Sequence, residues 1–197
     1  MKNKIILAIN IAIIIFEIIG IIVRLQVKGA LGIEYYTMDS NLLALTASSA
    51  YIFYALRGKP QPKWLNILKY VSTTMLAVTF LVVIFVLSPM LENGLYILLL
   101  TDQMLYNHLI CPILAIASFL LLEKHNLKNK DILWPIGTTL LYAVILIILN
   151  LCRVVDGPYP FLQVYNQSIF ATLGWAILIL GGTGLISFAT LHLRKEK

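Results

Sequence analysis

The sequence contains very little charge. Only 12% of its 197 residues are Asp, Glu, Lys or Arg, while 60% are hydrophobic. A typical soluble domain carries roughly twice that charged fraction, so the composition excludes an ordinary soluble protein. It is instead typical of helices that cross a bilayer, each with about 20 apolar residues. The sequence therefore predicts an all-α integral membrane protein.

Cysteine is equally scarce, which argues against two other classes of protein. Cys111 and Cys152 lie in or beside apolar runs, and neither forms a metal-binding pattern with the three histidines. Buried free cysteine is common in proteins, so we expect no disulfide between them. We also expect no metal site and no cofactor.

The excess of basic residues, a net charge of +6, could indicate a nucleic-acid partner. These residues cluster in short segments between apolar runs, however, which is a topology signal, and we expect no nucleic acid to bind. In a six-helix arrangement, three of the fifteen basic residues (Arg24, Lys28 and Arg153) lie on one side. The other twelve lie opposite, which predicts cytoplasmic termini: Lys2, Lys4, Arg57, Lys59, Lys63, Lys69, Lys124, Lys128, Lys130, Arg194, Lys195 and Lys197.

Six apolar runs divide the chain, and we interpret residues 1–197 as one six-helix transmembrane domain. The stretch 91–100 is apolar but too short to span, which predicts an interfacial segment. The six predicted spans cover residues 5–23, 36–56, 65–87, 102–122, 132–151 and 168–191.

Polar residues inside these runs are the candidates for function. In the first span Asn10, Glu17 and Arg24 are seven residues apart and share one helix face. A carboxylate at the centre of a membrane helix costs roughly 2.5–3.5 kcal/mol, so Glu17 is predicted to face the bundle interior. There it could pair with a polar group of another helix, or act in a site as an orienting group or proton acceptor.

The fourth span carries the only histidine predicted to lie within the membrane, His108. Pro112 follows four residues later and cannot donate to the His108 carbonyl, which is left free, so we expect the helix to kink at this point. Such a break is tolerated where other groups satisfy the backbone or where it lines a cavity. The other histidines, His125 and His192, adjoin basic residues at helix ends, and we expect them to be solvated or interfacial.

Neutral imidazole can act as a base towards a hydroxyl group within hydrogen-bonding distance. The hydroxyl that we pair with His108 is that of Thr37, at the polar start of the second span. Ser40 and Cys111 are alternative nucleophiles, although nothing near Cys111 indicates a depressed thiol pKa. A lone histidine in an apolar helix is more often a structural hydrogen-bonding group, so this pairing needs further support.

The predicted topology brings most of these polar groups to the non-cytoplasmic half. The cytoplasmic half is then expected to hold only solvated loop charges and the histidines His125 and His192. Arg153 is a candidate to bind a substrate carboxylate, since guanidinium suits that group, although an interfacial anchor or a partner of Asp156 is an equal alternative. An acidic side chain is expected to orient His108. The candidates for contact with substrate or an oxyanion are Asn41, Ser40, Asp39, Glu17, Asn107 and Arg153.

Three segments together resemble the androgen-induced gene and androgen-dependent TFPI-regulating family of multi-pass membrane proteins and its bacterial relatives. The order and spacing of the segments agree with that family, and the resemblance covers most of the chain. They are Tyr36-Thr37-Met38-Asp39-Ser40-Asn41-Leu42-Leu43, Asn107-His108-Leu109-Ile110-Cys111-Pro112 and Tyr159-Pro160-Phe161-Leu162.

The resemblance implies a threonine hydrolase acting within the membrane, with Thr37 as nucleophile and His108 as base. Eukaryotic members of the family cleave fatty acid esters of hydroxy fatty acids, which implies a lipid or fatty-acyl ester substrate here. The likeness to the bacterial relatives implies a bacterial cell membrane as the location. Two alternatives stay open. One is a non-enzymatic lipid-binding protein or small transporter using Glu17, His108 and Arg153. The other is a structural membrane subunit whose polar groups join helices.

Overall fold

A computed structural model describes residues 2–193, and all regular structure in this range is helical. The all-α prediction is therefore confirmed. Arg194, Lys195 and Lys197, which the charge count includes, lie outside the described residues. The α-helices are α1 Lys2–Lys28, α2 Tyr36–Leu56, α3 Lys63–Val82, α4 Gly94–Leu100, α5 Cys111–Ala117, α6 Leu133–Leu151 and α7 Ile169–His192.

Five stretches of the described chain are long and apolar enough to cross a membrane. They are Asn3–Lys28, Lys63–Met90, Leu105–Leu122, Asn129–Leu151 and Ile169–His192. Helix α2 is 21 residues long but is not among them. Its polar side chains include Asp39 and Asn41 in the first turns, and these lower its mean hydropathy.

Two of the spanning helices are longer than the sequence predicts. Helix α1 continues beyond Arg24 to Lys28 and is followed by Gly29, which has a φ of 69° that an L side chain would strain. The inward face predicted for α1 is confirmed, since Asn10 and Glu17 are both 0% exposed. Helix α3 continues as a π-helix at Val83–Leu87 and a 3-10 turn at Ser88–Met90.

Helix α3 is the centre of the bundle. It packs against α2, α5, α6 and α7. In its most apolar stretch 61% of the residues are buried within the protein, whereas the corresponding fraction in α7 is 6%. Helix α2 packs between α1 and α3. Its residues Ser40, Ala44 and Ser48 recur every four positions on a buried face, which allows neighbouring helices to approach closely.

The segment after α3 corresponds to the short interfacial segment that the sequence predicts at residues 91–100. Within residues 91–100 lies α4, whose seven residues are too few to span. The next span begins at Leu105, three residues later than predicted, with a π-helix at Leu105–Ile110. The Cys111 N–H donates to the Tyr106 carbonyl, five residues back. The helix is therefore irregular, with π-helical geometry, directly before Pro112, while the predicted kink stays a prediction.

The structure overturns one expectation about the basic residues. Lys69 is 4% exposed in α3, and its Nζ donates to Glu123 Oε1 at 2.6 Å and to Asn10 Oδ1 at 2.7 Å. Ser118 Oγ donates to the same Glu123 oxygen at 2.7 Å. We call Asn10, Lys69, Ser118 and Glu123 the lysine network. It shows that this half holds more than solvated charges.

His125 adjoins the lysine network and is likewise not solvated. Its side chain is 0% exposed, its ring stacks on Phe119 with centroids 4.0 Å apart, and its Nε2 lies 3.6 Å from Glu123 Oε2. The prediction of a solvated His125 is therefore wrong, and the alternative of an interfacial position stays a prediction. Helix periodicity could not predict the burial of His125, because the helix ends at Leu122. The non-helical chain that follows places His125 beside Glu123 and Phe119.

The segment between α6 and α7 folds back into the bundle. Asn150 Nδ2 donates to the Val155 carbonyl, and its Oδ1 accepts from the Val164 N–H, both at 3.0 Å. Within this segment the rings of Tyr159 and Phe161 stack with centroids 5.1 Å apart. Both rings are buried in a core cluster with residues of α2, α3 and α6. The fold thus brings Tyr159 to the start of α2.

Candidate active site

Thr37 and His108 meet although they are 71 residues apart in the chain. Thr37 lies in the first turn of α2, and His108 lies in the π-helical segment that precedes Pro112. Thr37 Oγ1 is 3.2 Å from His108 Nε2, within hydrogen-bonding distance. His108 is 5% exposed, so the contact is largely sheltered from solvent.

The other nitrogen of His108 defines the tautomer. Its Nδ1 is 2.7 Å from the Leu98 carbonyl oxygen, which can only accept a hydrogen bond. Nδ1 therefore carries the proton of the neutral ring, and Nε2 is left to accept the Thr37 hydroxyl proton. Leu98 lies in the last turn of α4, where helix carbonyls lack intrahelical partners. A backbone carbonyl thus orients His108, where the sequence suggested an acidic side chain.

Tyr159 is the third group in contact with Thr37. Its hydroxyl oxygen accepts the Thr37 N–H at 3.3 Å and lies 3.3 Å from Thr37 Oγ1. Because the Thr37 hydroxyl donates to His108, the Tyr159 hydroxyl must donate to Thr37. Burial raises the pKa of Tyr159 to about 12, so this donor keeps its proton at neutral pH.

Sequence reasoning missed Tyr159 as a functional residue. The only available signal was its presence in one of the three segments that carry the family resemblance. Its position is held by Tyr35, whose ring meets it edge-on at 5.9 Å, and by the stacked ring of Phe161. The ring is therefore fixed from two sides, which orients its hydroxyl towards α2.

The start of α2 has no side-chain cap at Tyr35, and tyrosine hydroxyls satisfy its first N–H groups. The Tyr36 N–H donates to Tyr142 at 3.0 Å, and the Thr37 N–H donates to Tyr159. The positive end of a 21-residue helix therefore adjoins the Thr37 hydroxyl. Helix N-termini stabilise nearby negative charge, so this placement favours an anion at Thr37.

Ser40 and Asn41 hold the backbone of Thr37. Ser40 Oγ and Asn41 Nδ2 donate to the Thr37 carbonyl at 2.8 and 2.7 Å. The second Nδ2 hydrogen of Asn41 reaches the Asn107 carbonyl at 3.2 Å. Both Asn41 donors are thus used by backbone groups, and neither is left for an oxyanion. These residues position Thr37 and join α2 to the π-helical segment.

Glu17 and Cys111 lie together, away from Thr37. The Cys111 thiol is beside the Glu17 carboxyl group, and both residues are 0% exposed. No nitrogen or hydroxyl donor of the described residues bonds to the Glu17 oxygens. Neither residue lines a cavity that contains Thr37.

The remaining sequence candidates differ in where they lie. Asn107 is buried and lines a cavity with His108, and its Oδ1 would lie 2.5 Å from a Cβ at Gly20. Asp39 faces a different surface, near Leu43 and Thr138. Arg153 is exposed, with its guanidinium 5.0 Å from the Tyr165 ring centroid. Of these three, only Asn107 shares a cavity with Thr37 and His108.

Two cavities meet at Thr37 and Tyr159. A narrow one of about 70 Å³ lies between α3, α6 and α7 and is lined mainly by apolar side chains, among them Val78, Ile147 and Trp175. A larger one of about 540 Å³ has a more polar lining, which includes Arg24, Gln103 and His108. His108 lines the polar cavity and not the apolar one. Thr37 therefore has an apolar space on one side and a polar space on the other.

Comparisons of this chain with protein-family models, with curated proteins and with solved structures give no match. The family resemblance therefore depends on the three segments alone and stays a prediction. Among residues 2–193 no group of three or more His, Cys, Asp or Glu side chains could hold a metal ion.

Proposed function

We propose that this protein is a membrane-embedded hydrolase of lipid esters, with Thr37 as the nucleophile and His108 as its base. The observation that carries the proposal is the 3.2 Å contact between Thr37 Oγ1 and the unprotonated Nε2 of His108. The Leu98 carbonyl plays the orienting role of the third group in a nucleophile–base–orienter arrangement. The resemblance to the androgen-induced gene family, whose members cleave fatty acid esters of hydroxy fatty acids, agrees with this assignment.

In the first half of the reaction, Thr37 Oγ1 attacks the ester carbonyl while His108 Nε2 takes the hydroxyl proton. The tetrahedral intermediate then collapses and its bond to the alcohol oxygen breaks. His108 returns the proton to that oxygen, the alcohol leaves, and the acyl group stays on Thr37. In the second half, His108 removes a proton from water, which attacks the acyl-threonine. The second tetrahedral intermediate then collapses, the bond between the acyl carbon and Thr37 Oγ1 breaks, and His108 returns the proton to Oγ1. The products are a carboxylic acid and the free Thr37 hydroxyl.

The negative charge on the intermediate needs a donor, and Tyr159 is the side chain placed to supply it. Its O–H points at Thr37 Oγ1 in the resting protein, and the new oxyanion forms only two bonds away from that oxygen atom. The N-terminus of α2 adds a favourable electrostatic field. Asn41, one of the sequence candidates for this role, has both of its Nδ2 hydrogens on backbone carbonyls.

Covalent labelling distinguishes this proposal from a lipid-binding protein or transporter with the same cavities. A long-chain fluorophosphonate applied to purified protein in nanodiscs should add one phosphonyl group at Thr37, as mapped by mass spectrometry. Thr37→Ala should abolish labelling, whereas Thr46→Ala should not. Thr46 is a matched control, since it is an exposed threonine on the same helix. Labelling of Cys111 or Ser40 with Thr37 dispensable would reject the assignment.

We further propose that α2 is the sixth span and that both termini are cytoplasmic, in a bacterial cell membrane. Helix α2 is about 30 Å long at 1.5 Å per residue and packs between two apolar spans. The charge distribution supports this orientation. On intact cells an impermeant maleimide should label a single cysteine placed in the turn around Tyr159. It should not label a single cysteine placed at position 197. Labelling of position 197 from outside would contradict the topology.

A further inference from the structure

A third cavity lies at the opposite end of α2 from Thr37. It has a volume of about 520 Å³ and opens widely at the protein surface. We call it the amide cavity, and five polar side chains line it: Gln61, Asn66, Lys124, His125 and Asn126. Gln61 follows the last turn of α2, whereas Thr37 lies in its first turn, so the length of this helix, about 30 Å, separates them. A ligand in the amide cavity would therefore not touch the Thr37–His108 site.

Asn66 is a buried side chain without a hydrogen-bonding partner. It lies in the first turn of α3 and is 5% exposed, yet neither Oδ1 nor Nδ2 bonds to any group of residues 2–193. Burying an amide without a partner is unfavourable, so a side chain of this kind needs an explanation. Asn66 lines the amide cavity, and a ligand bound there would supply the missing partner.

The orientation of two amides shows which kind of ligand this is. Gln61 Oε1 and Asn66 Oδ1 are both shut off from solvent. The nitrogen atoms of the same two amides stay open to solvent, and they have no partner in the part of the chain that the structure describes. The NH₂ groups, which are donors, are thus the ends that face the cavity. The ligand must therefore accept hydrogen bonds.

The charges around the amide cavity favour an anion. No lining residue is acidic, and Lys124 is exposed with no carboxylate of the described residues within 4.0 Å of its Nζ. The adjacent carboxylate, Glu123, is buried and already paired with Lys69. Helix α3 begins at Lys63 without a side-chain cap, so the free N–H groups of its first turn add a positive field.

The level of the amide cavity in the membrane indicates which anion it meets. Its residues lie at or just beyond the ends of two apolar spans, Lys63–Met90 and Leu105–Leu122, where the head groups of a bilayer begin. Trp64, which is 52% exposed, lies between Gln61 and Asn66 in the chain, and tryptophan is typical of that layer. Phosphate is the anionic group that phospholipids carry at this level, and its oxygen atoms can accept from several donors at once.

We propose that the amide cavity binds a phosphate group, with Lys124 as its counter-ion and the NH₂ groups of Gln61, Asn66 and Asn126 as donors. A phospholipid head group and a soluble phosphate ester carry the same chemistry, and the level of the cavity favours the lipid. The bound phosphate would connect the start of α3 to the chain that follows Leu122. This site is separate from the proposed hydrolase site and does not depend on it.

Native mass spectrometry of the full-length protein in detergent tests the proposal. The probes are phosphatidylglycerol, a glycosyl diacylglycerol with the same acyl chains but no phosphate, and soluble glycerol phosphate. Asn66→Leu keeps the size of the side chain but removes its donors. It should weaken binding of phosphatidylglycerol by roughly tenfold, as for one hydrogen bond to a charged group, and leave binding of the glycolipid unchanged. Asn3→Leu, at an exposed asparagine of α1, is the matched control.

Lys124→Gln provides a second variant, at an exposed side chain whose loss does not threaten folding. It should weaken binding of phosphatidylglycerol alone, by about three- to fivefold, because the charge is partly screened by water. Lys59→Gln is its matched control, since Lys59 is exposed in the connection between α2 and α3 but does not line the cavity.

Competition with glycerol phosphate identifies the source of the phosphate. Displacement of the lipid by glycerol phosphate would support a site for soluble phosphate esters, and lipid binding that resists it would support a site for a phospholipid head group. Equal binding of phosphatidylglycerol and the glycolipid would overturn the proposal. So would lipid binding that Lys124→Gln leaves unchanged, even if Asn66→Leu fails to fold. Labelling of Thr37 is measured at the other end of α2, so failure of either proposal leaves the other standing.

Discussion

The lysine network and the Thr37–His108 site both bury polar side chains between helices, yet they differ in what stays available. In the lysine network, Lys69 donates to Asn10 and Glu123, and Glu123 also accepts from Ser118. At Thr37 the polar groups face two cavities, and the cation beside them, Arg24, has no anion. Buried polarity in a membrane-type helix therefore indicates a functional site only where bonding capacity faces open space.

The same contrast predicts different effects of mutation in the lysine network and at the Thr37–His108 site. A paired network contributes to the native state, and breaking it should destabilise the protein. A site that keeps unused donors and charges contributes little to stability but can act on a ligand. Mutations in the two regions should therefore separate activity from stability.

The largest expected effect is on turnover, in Thr37→Ala and His108→Ala. Each change should lower kcat for a lipid ester by roughly 10³-fold or more, because an unassisted threonine hydroxyl is a poor nucleophile. The double variant should be scarcely worse, since the two groups act in one step. Ester hydrolysis by purified protein in nanodiscs measures all three variants.

Matched controls for these variants are available in the chain. His192→Ala removes an exposed histidine of α7 and should keep full turnover. Cys111→Ala and Ser40→Ala should keep much of it, with losses limited to packing costs of about 1 kcal/mol. Full activity of Thr37→Ala, or loss of activity in Cys111→Ala alone, would contradict the proposed nucleophile.

Next in size is the effect of Lys69→Met on stability. It leaves Glu123 buried without its cation, and removing one partner of a buried ion pair costs about 3–5 kcal/mol. Unfolding in detergent measures the loss, while turnover per folded molecule should stay unchanged. Adding Glu123→Leu should recover much of the stability, since an apolar pair can replace a buried ion pair.

Lys63→Met provides the control for this prediction. Lys63 is 3.9 Å from Asp131, but its side chain is 49% exposed. Exposed ion pairs contribute about 0–1 kcal/mol, so its loss should be small. Equal destabilisation by Lys63→Met and Lys69→Met would show that the lysine network has no special structural role.

Tyr159→Phe should reduce turnover by roughly 10²–10³-fold, the range measured for one oxyanion donor elsewhere. The loss should appear in kcat more than in KM, because the hydrogen bond to the oxyanion forms in the transition state. Tyr165→Phe, in the same segment but exposed, should leave kcat unchanged. If Tyr159→Phe raises only KM, the hydroxyl serves substrate binding and not the oxyanion.

The smallest expected effect is a pH dependence of stability at Glu123. Burial raises its pKa, but Lys69, His125 and hydrogen bonds from Lys69 and Ser118 lower it more, so the net pKa lies below 4.5. A lowered folded-state pKa stabilises the protein above the unfolded pKa of about 4.5, and this stability is lost as pH falls through the folded value. The unfolding free energy should therefore decrease below pH 4.5 and vary less in Glu123→Gln. The same acid sensitivity in both proteins would assign it to other groups.

Much of the fold could be predicted because hydropathy is a local property. Five of the six predicted spans are long and apolar enough in the structure, and the short segment before residue 102 contains a short helix. Helix ends were less accurate. Regular α-helix continues past the apolar run to Lys28 in α1, and π and 3-10 turns extend α3 to Met90. Lys69 was misread because its partner Glu123 is 54 residues away.

The candidate site divides along the same line. Polar residues that interrupt apolar helices, such as Glu17, Thr37 and His108, can be recognised in the sequence because each is costly in lipid. Helix spacing also places Asn10 and Glu17 on one inward face. Whether such a residue binds a backbone carbonyl, an ion-pair partner or a ligand depends on what other helices bring to it.

Those partners were decided by packing between distant segments. The carbonyl of α4 selects the His108 tautomer, and the folded segment before α7 brings Tyr159 to Thr37 across 122 residues. Asn41 and Ser40 have suitable side chains for a catalytic role, but the adjacent carbonyls of Thr37 and Asn107 take their donors. Residue type and spacing along one helix carry no information on such contacts, because hydrogen bonds are short-ranged and depend on how separate helices meet.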